Sequence, residues 1–199
     1  MPPSPSAAGL LYFLNTIQSL KITKRTGWVN HNVPNPESIA DHMHRMSVMA
    51  LVVGDTGLNR DKCVKMALVH DIGEAIVGDI TPHDGVSDTD KHACELAAYQ
   101  HFRTLLGDTP EAKEMHDLWL EYDAGETAEA KLVKDLDKLE MIVQALEYER
   151  AYCISLEQFL TSTRAKFRHP TVREWAEELD RERTRFWAES KPQDVSSSS

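Results

Sequence analysis

The sequence is poor in the features that mark secreted, membrane or nucleic-acid-binding chains. It has only three cysteines, Cys63, Cys94 and Cys153. They are odd in number and form no CxxC pair or zinc-ribbon spacing, which argues against a disulfide framework and a cysteine-built zinc site. Each is expected to pack as a small apolar residue on a helix face, in a reducing compartment. No apolar run approaches the roughly 18–20 residues needed to span a bilayer. The leading Met1-Pro-Pro-Ser-Pro-Ser-Ala-Ala lacks a cationic stretch followed by an apolar one, so no secretory signal is expected. The location is read as cytoplasmic, with the nucleus left open. Positive charge is scarce: 22 Lys and Arg stand against 32 Asp and Glu, a net charge of −10. That argues against nucleic acid and anionic membrane as partners. A small phosphorylated substrate stays possible, because a bound metal ion can invert the local field.

Period-two alternation is also missing, so strands are not expected. What is present, in 199 residues that are 41% hydrophobic, is helical periodicity. The reading is an all-α, single-domain helical fold over residues 9–188, with residues 1–8 and 189–199 disordered, since both ends are rich in Pro, Ser or other polar residues. Leu10, Leu11, Leu14, Ile17 and Leu20 predict a first helix over about 9–21. A turn-rich loop from Thr26 to Pro36 precedes a second helix, from about Pro36 to Val53. The third is predicted from Asn59, as N-cap, to Ile72, with Gly73 ending it. Further helices are predicted over about 89–106, 110–122, 125–150, 155–166 and 170–188.

The pair His70-Asp71, in Met66-Ala-Leu-Val-His70-Asp71-Ile-Gly73-Glu74, sits at the end of an apolar helix. An imidazole and a carboxylate are expensive to bury there without a partner. His42 steps by helical turns onto Met46, Met49 and Val53, so it points toward the core. A lone histidine in that position is more often one that donates to a backbone carbonyl. Asp137 borders the buried stripe of the 125–150 helix, through Val133 and Met141; the plainer alternative is a solvated carboxylate beside a lysine. Two imidazoles and two carboxylates from three helices would make an N/O site suited to Mn²⁺, Co²⁺, Mg²⁺, Fe or Zn²⁺. Glu74 and Asp79 follow closely. Either could orient or deprotonate a water beside a metal or hold a second cation; equally, Asp79 could cap a helix and Glu74 face solvent. Arg25 could pair with a phosphate. Trp28 could stack on a base or cover the edge of the core.

Together the motifs Arg25-Thr-Gly-Trp28, Glu37-Ser-Ile-Ala-Asp-His42, His70-Asp-Ile-Gly-Glu74, Gly78-Asp79-Ile80-Thr-Pro82 and Lys134-Asp-Leu-Asp137 resemble, in order, the HD-domain metal-dependent phosphohydrolases, in their 5′-deoxynucleotidase branch. The resemblance implies a helical HD fold, a homodimer, and hydrolysis of deoxyribonucleoside 5′-monophosphates with Mn²⁺, Co²⁺ or Mg²⁺. It implies His42, His70, Asp71 and Asp137 as ligands of a first cation, and Glu74, Asp79 and the Ile80 carbonyl as ligands of a second. Asp71, Glu74 and Asp79 are the implied catalytic residues, and Arg25 and Trp28 the substrate contacts. Bacterial members carry an arginine directly before the residue matching Trp28; here that position is Gly27, and the nearest arginine is Arg25. Two alternatives stay open at this stage: another nucleotide substrate, such as a triphosphate or a guanosine polyphosphate, and a non-catalytic HD domain that binds a nucleotide or a protein.

Overall fold

The structure, a computed structural model, describes residues 4–54, 57–81 and 84–190. Residues 1–3 and 191–199 of the terminal segments, and Pro82 of the Gly78–Pro82 motif, lie outside the described residues. The elements are α1 (Ala7–Ile17) with a 3₁₀ turn (Gln18–Lys21), α2 (Thr26–Asn30), α3 (Ile39–Val52), α4 (Arg60–Val69), α5 (Glu74–Val77), α6 (Asp88–Leu105), α7 (Pro110–Ala124), α8 (Ala128–Tyr152), α9 (Glu157–Thr163) and α10 (Pro170–Glu189). No strand occurs among the described residues; the only isolated β-bridge described joins Lys24 to Ser38, antiparallel.

Local chemistry sets most helix starts. Ser38 and Asp41 form a reciprocal capping box on α3. The side chains of Asn59, Ser87, Thr109 and Thr127 accept from the first turns of α4, α6, α7 and α8. Gly125 closes α7 in the left-handed conformation, at φ 63°.

The long α8 is the centre of the molecule. Leu132, Val133, Leu136, Leu139, Ile142, Ala145 and Leu146 on it are all at most 4% exposed. Around it pack α3, α4, α7, α9 and α10. This places the middle of α8 opposite the middle of α3 and the end of α4, where the chemistry gathers.

Three expectations need correction. Helix α1 starts at Ala7, capped by Ser6, and its predicted stripe is mostly outside: Leu10, Leu11 and Leu14 are 39, 61 and 46% exposed, and only Leu20 is buried. Helix α1 lies on the rim against α6, touching it through the Phe13–Phe102 ring pair. Helix α3 begins at Ile39 rather than near Pro36, because Ser38 is engaged by Lys24 while the Glu37 carbonyl accepts from the Arg25 amide. Of the cysteines only Cys63 is buried; Cys94 is exposed, and Cys153 is exposed and ends α8 at φ 53°.

Candidate metal centre

Four segments deliver the site. His42 comes from the middle of α3 and Asp137 from α8. His70 is the C-cap residue of α4, and the chain then turns through Asp71 and Ile72 into α5. Arg25 arrives from the front segment, which the Lys24–Ser38 bridge pins alongside the start of α3. The turn after His70 is fixed from behind by Tyr99 of α6, whose hydroxyl donates to the carbonyls of Val69 and His70. The Val69 carbonyl also accepts from the Ile72 amide, so the chain leaves α4 in a tighter turn. The same ring requires glycine next door: a Cβ on Gly73 would lie 2.9 Å from Tyr99 Cε2.

Both histidines are oriented by their Nδ1 atoms. His42 Nδ1–H donates to Glu140 Oε2 at 2.5 Å, and His70 Nδ1–H to the Ala67 carbonyl at 2.9 Å. A carboxylate and a carbonyl can only accept, so Nδ1 carries a proton in each ring and the neutral form of each imidazole presents Nε2 as a lone pair. Both Nε2 atoms are buried without a hydrogen-bond partner, a costly arrangement in a dry interior. They converge: ligand atoms of His42, His70 and Asp137 lie within 4.8 Å of one another. Asp137 Oδ1 is 3.3 Å from His42 Nε2, and Asp71 Oδ2 is 3.1 Å from His70 Nε2 and 3.8 Å from His42 Nε2. Two inward lone pairs beside two carboxylates fit a divalent cation.

The electrostatics agree. Burial pushes the Asp137 carboxyl up, but His42, His70 and Arg25 hold it well below the usual carboxylate range. Asp71 is likewise brought down to about 2, against its burial, by His70, Arg25 and His42. For His42, burial and the Arg25 charge pull downward, yet the Asp137 and Glu140 carboxylates raise it to about 9, so the carboxylates draw a second proton onto the ring, which a cation at Nε2 would displace. Glu74 goes the other way. It is buried, Asp71 and Asp79 lie close, and its carboxyl is pushed well above the ordinary value; one of its oxygens, Oε2, has no partner.

The remaining expected residues divide. Arg25 is at the site, with Nη1 3.4 Å from Asp71 Oδ2. A Cβ at Gly27 would set off toward Phe159, 3.5 Å away, so Arg25 is the arginine that the front segment brings to this centre. Trp28 as a base-stacking surface is a correction. The ring is 2% exposed, packed against Tyr148 and Phe159, and its Nε1–H donates to Glu37 at 2.9 Å; a ring so enclosed offers no face to a base. Asp79 holds the start of α2: its Oδ2 accepts from the Thr26 amide at 2.6 Å and its carbonyl from the Thr26 hydroxyl at 2.7 Å. The Ile80 carbonyl accepts from Lys91 Nζ at 2.9 Å. Of the three expected second-cation donors, Glu74 keeps a buried oxygen free of any partner, while Asp79 Oδ2 and the Ile80 carbonyl already accept protein hydrogen bonds; no chemistry is assigned to a second ion.

Sequence reasoning missed three contributors. Tyr122 of α7 donates its hydroxyl to Asp137 Oδ2 at 2.7 Å and lays its ring 4.8 Å from that of His70. Glu140 holds His42, and Lys91 bonds to Ile80. Glu140 follows Asp137 by three residues on a helix, which puts both on one face; that signal was readable. Tyr122 and Lys91 come from other helices and left none.

Similarity to known proteins matches this geometry. The family profile described as HD domain matches residues 17–176. The chain is 48% identical over 181 residues to "5′-deoxynucleotidase HDDC2" of Danio rerio, covering 90% of each chain. It is 44% identical to "5′-deoxynucleotidase hdd1" of Schizosaccharomyces pombe, covering 88% of this chain and 91% of that one. Among solved structures, the PH0347 protein of Pyrococcus horikoshii superposes with a TM-score of 0.72 at 30% identity, over 86% of this chain and 98% of that chain. With two buried imidazoles, the His70-Asp71 pair and Asp137 converging in an all-helical domain, the chain belongs to the HD-domain family.

Proposed function

We propose that the chain is a metal-dependent 5′-deoxynucleotidase, hydrolysing deoxyribonucleoside 5′-monophosphates to deoxynucleoside and phosphate. The observation that carries this is the convergence of two unpartnered, buried histidine Nε2 atoms with Asp71 and Asp137, beside Arg25 and Glu74. The relatives' printed names support the substrate class. His42, His70, Asp71 and Asp137 would hold one divalent cation, with Mn²⁺, Co²⁺ and Mg²⁺ as the metals to test. When bound, such an ion supplies Lewis acidity toward a phosphoryl oxygen and makes water a nucleophile at neutral pH.

The chain's own residues do the rest. Arg25 spends one N–H on Asp71 and keeps others for a nonbridging phosphate oxygen, a charge-assisted contact. Glu74, with its raised proton affinity and free buried oxygen, receives a proton from the attacking water as the water oxygen bonds to phosphorus and the bond from phosphorus to the 5′-oxygen breaks; the departing 5′-oxygen takes a proton from solvent to give the deoxynucleoside. Tyr122 and Glu140 fix the rotamers of Asp137 and His42, so the site is organised before substrate arrives. Asp79 acts through Thr26, holding the segment that carries Arg25.

The test is phosphate release from a panel of deoxy- and ribonucleoside 5′-monophosphates, a triphosphate and a guanosine polyphosphate, with Mn²⁺ or Co²⁺. Deoxymonophosphates should be turned over fastest. Faster hydrolysis of the triphosphate or polyphosphate overturns the substrate assignment, and no turnover of any ester by metal-loaded protein overturns the enzyme.

A further inference from the structure

Glu140 is fully buried, and its two oxygens are used differently. Oε2 accepts from His42 Nδ1 at 2.5 Å, while Oε1 accepts from Arg45 Nε at 2.8 Å. Arg45 is itself held, by Glu147 through two contacts of 2.9 Å and by Gln144 Oε1 at 2.5 Å. A buried carboxylate is expensive, and apolar side chains at such positions often serve stability as well or better. Packing alone therefore does not explain a charge here. His70, the other imidazole of the centre, leans only on a neutral backbone carbonyl. The two histidines are thus unequal: one is backed by an anion that an arginine locks in place, the other is not.

We infer that Glu140, clamped by Arg45, is a positioning residue of the metal centre: it fixes the tautomer and aim of His42 and sets how tightly the ion is held. A carboxylate behind a ligating imidazole makes the ring nitrogen facing the ion a better donor. Helix α8 then plays two parts, supplying Asp137 as a ligand and, one turn later, the support for the ligand across from it. The same geometry explains why Glu37, His42 and Glu140, whose ligand atoms also lie within 4.8 Å of one another, are not an ion site of their own. His42 Nδ1 carries the proton given to Glu140, and Glu37 Oε1 accepts from Trp28.

The inference rests on the metal-centre reading above, and the experiment separates the two. Co²⁺ is titrated into metal-stripped wild type, Glu140→Gln and Glu140→Leu, following the visible absorption of the bound ion. The thermal midpoint of each stripped protein is recorded alongside. Glu140→Gln keeps an acceptor for His42 but loses the charge; Glu140→Leu loses both, while Arg45 keeps Glu147 and Gln144. The expected result is an affinity loss of about 10-fold for the first variant and about 100-fold for the second, the range found for groups that support ligands, with altered Co²⁺ spectra. Folded variants that bind Co²⁺ as tightly as wild type, with the same spectrum, overturn the inference even if their thermal midpoints fall. Wild type that takes up no Co²⁺ overturns the metal-centre reading itself.

Discussion

Asp71 lies within 4 Å of both imidazoles and of Arg25. Its replacement by alanine should abolish ion binding and lower turnover by about 10³-fold or more, on the scale of losing a main electrostatic stabiliser. Arg25→Met should act on substrate instead, raising KM by about 10–100-fold, as expected for one charge-assisted hydrogen bond; an unchanged KM would remove Arg25 from the phosphate. Glu74→Gln should cut kcat by about 10²–10⁴-fold. Its pH signature is also distinct. Glu74 accepts a proton only when ionised, and its carboxyl is pushed above the ordinary range, so the wild-type rate falls as pH drops through that raised value. The variant's residual rate should lack that limb. Much of this was legible in the sequence, because helical stepping put His42 toward the core and the His70-Asp71 pair at a helix end. Tyr122 was not legible: its contact with Asp137 joins two helices, and no local period records it. Trp28 stayed open between a base and the core edge, because a tryptophan looks the same in sequence whether it meets a base or Tyr148; its burial supports the core edge over the substrate contact that the resemblance implied.

Helices carry the second scale. Long elements were predictable: Asn59 is the N-cap expected of it, and α7, capped by Thr109 and Gly125, lies within two residues of the 110–122 expectation. The one-turn helices α2 and α5 were not, since four or five residues show no period. Yet they set the site, α2 by presenting Arg25 at its N-cap and α5 by carrying Glu74. The turn between α4 and α5 should be intolerant of volume. Gly73→Ala forces a methyl against Tyr99 and should cost about 1–3 kcal/mol, read as a lower urea midpoint. Helix α10 is tied to α8 by Glu149, which is fully buried and accepts from the Leu156 amide, Arg183 and Trp187. Burial pushes its carboxyl up, but Arg183, the Leu156 amide and Trp187 outweigh that and hold it below the ordinary range. A lowered native value means the stabilisation is complete above the unfolded-state pKa and is lost as pH falls through the native one. Glu149→Gln should therefore be less stable than wild type at pH 7, by about 3 kcal/mol as for one partner removed from a buried pair. In urea melts the gap should narrow as the solution is acidified below about pH 4, near and under the reference carboxylate value. A gap that stays constant with pH would mean the pair contributes nothing through charge.

For the molecule as a whole, a net charge of −10 sits around a centre that must attract an anion, so positive charge at the site has to come from the ion and from Arg25. No described helix is long and apolar enough to cross a membrane. The exposed Leu11, Tyr12 and Leu14 of α1 leave an apolar rim, consistent with the homodimer the sequence resemblance implies; light scattering should return twice the 22.5 kDa chain mass, and a monomer at all concentrations would contradict it. The sequence could place α1 as amphipathic but not say that its apolar side faces outward, because periodicity is blind to what covers a face. Ion binding should also stabilise the fold by mass action, by about 2.7 kcal/mol at a hundredfold excess over the dissociation constant. The most direct measurement is phosphate release from a deoxynucleoside 5′-monophosphate by chelator-stripped protein as Mn²⁺ is added back, in wild type and in Asp71→Ala. Activity should be absent at the start, return in wild type as the ion binds, and stay absent in the variant. Full activity in the stripped wild type, or recovery in Asp71→Ala, would contradict a catalytic metal at this centre.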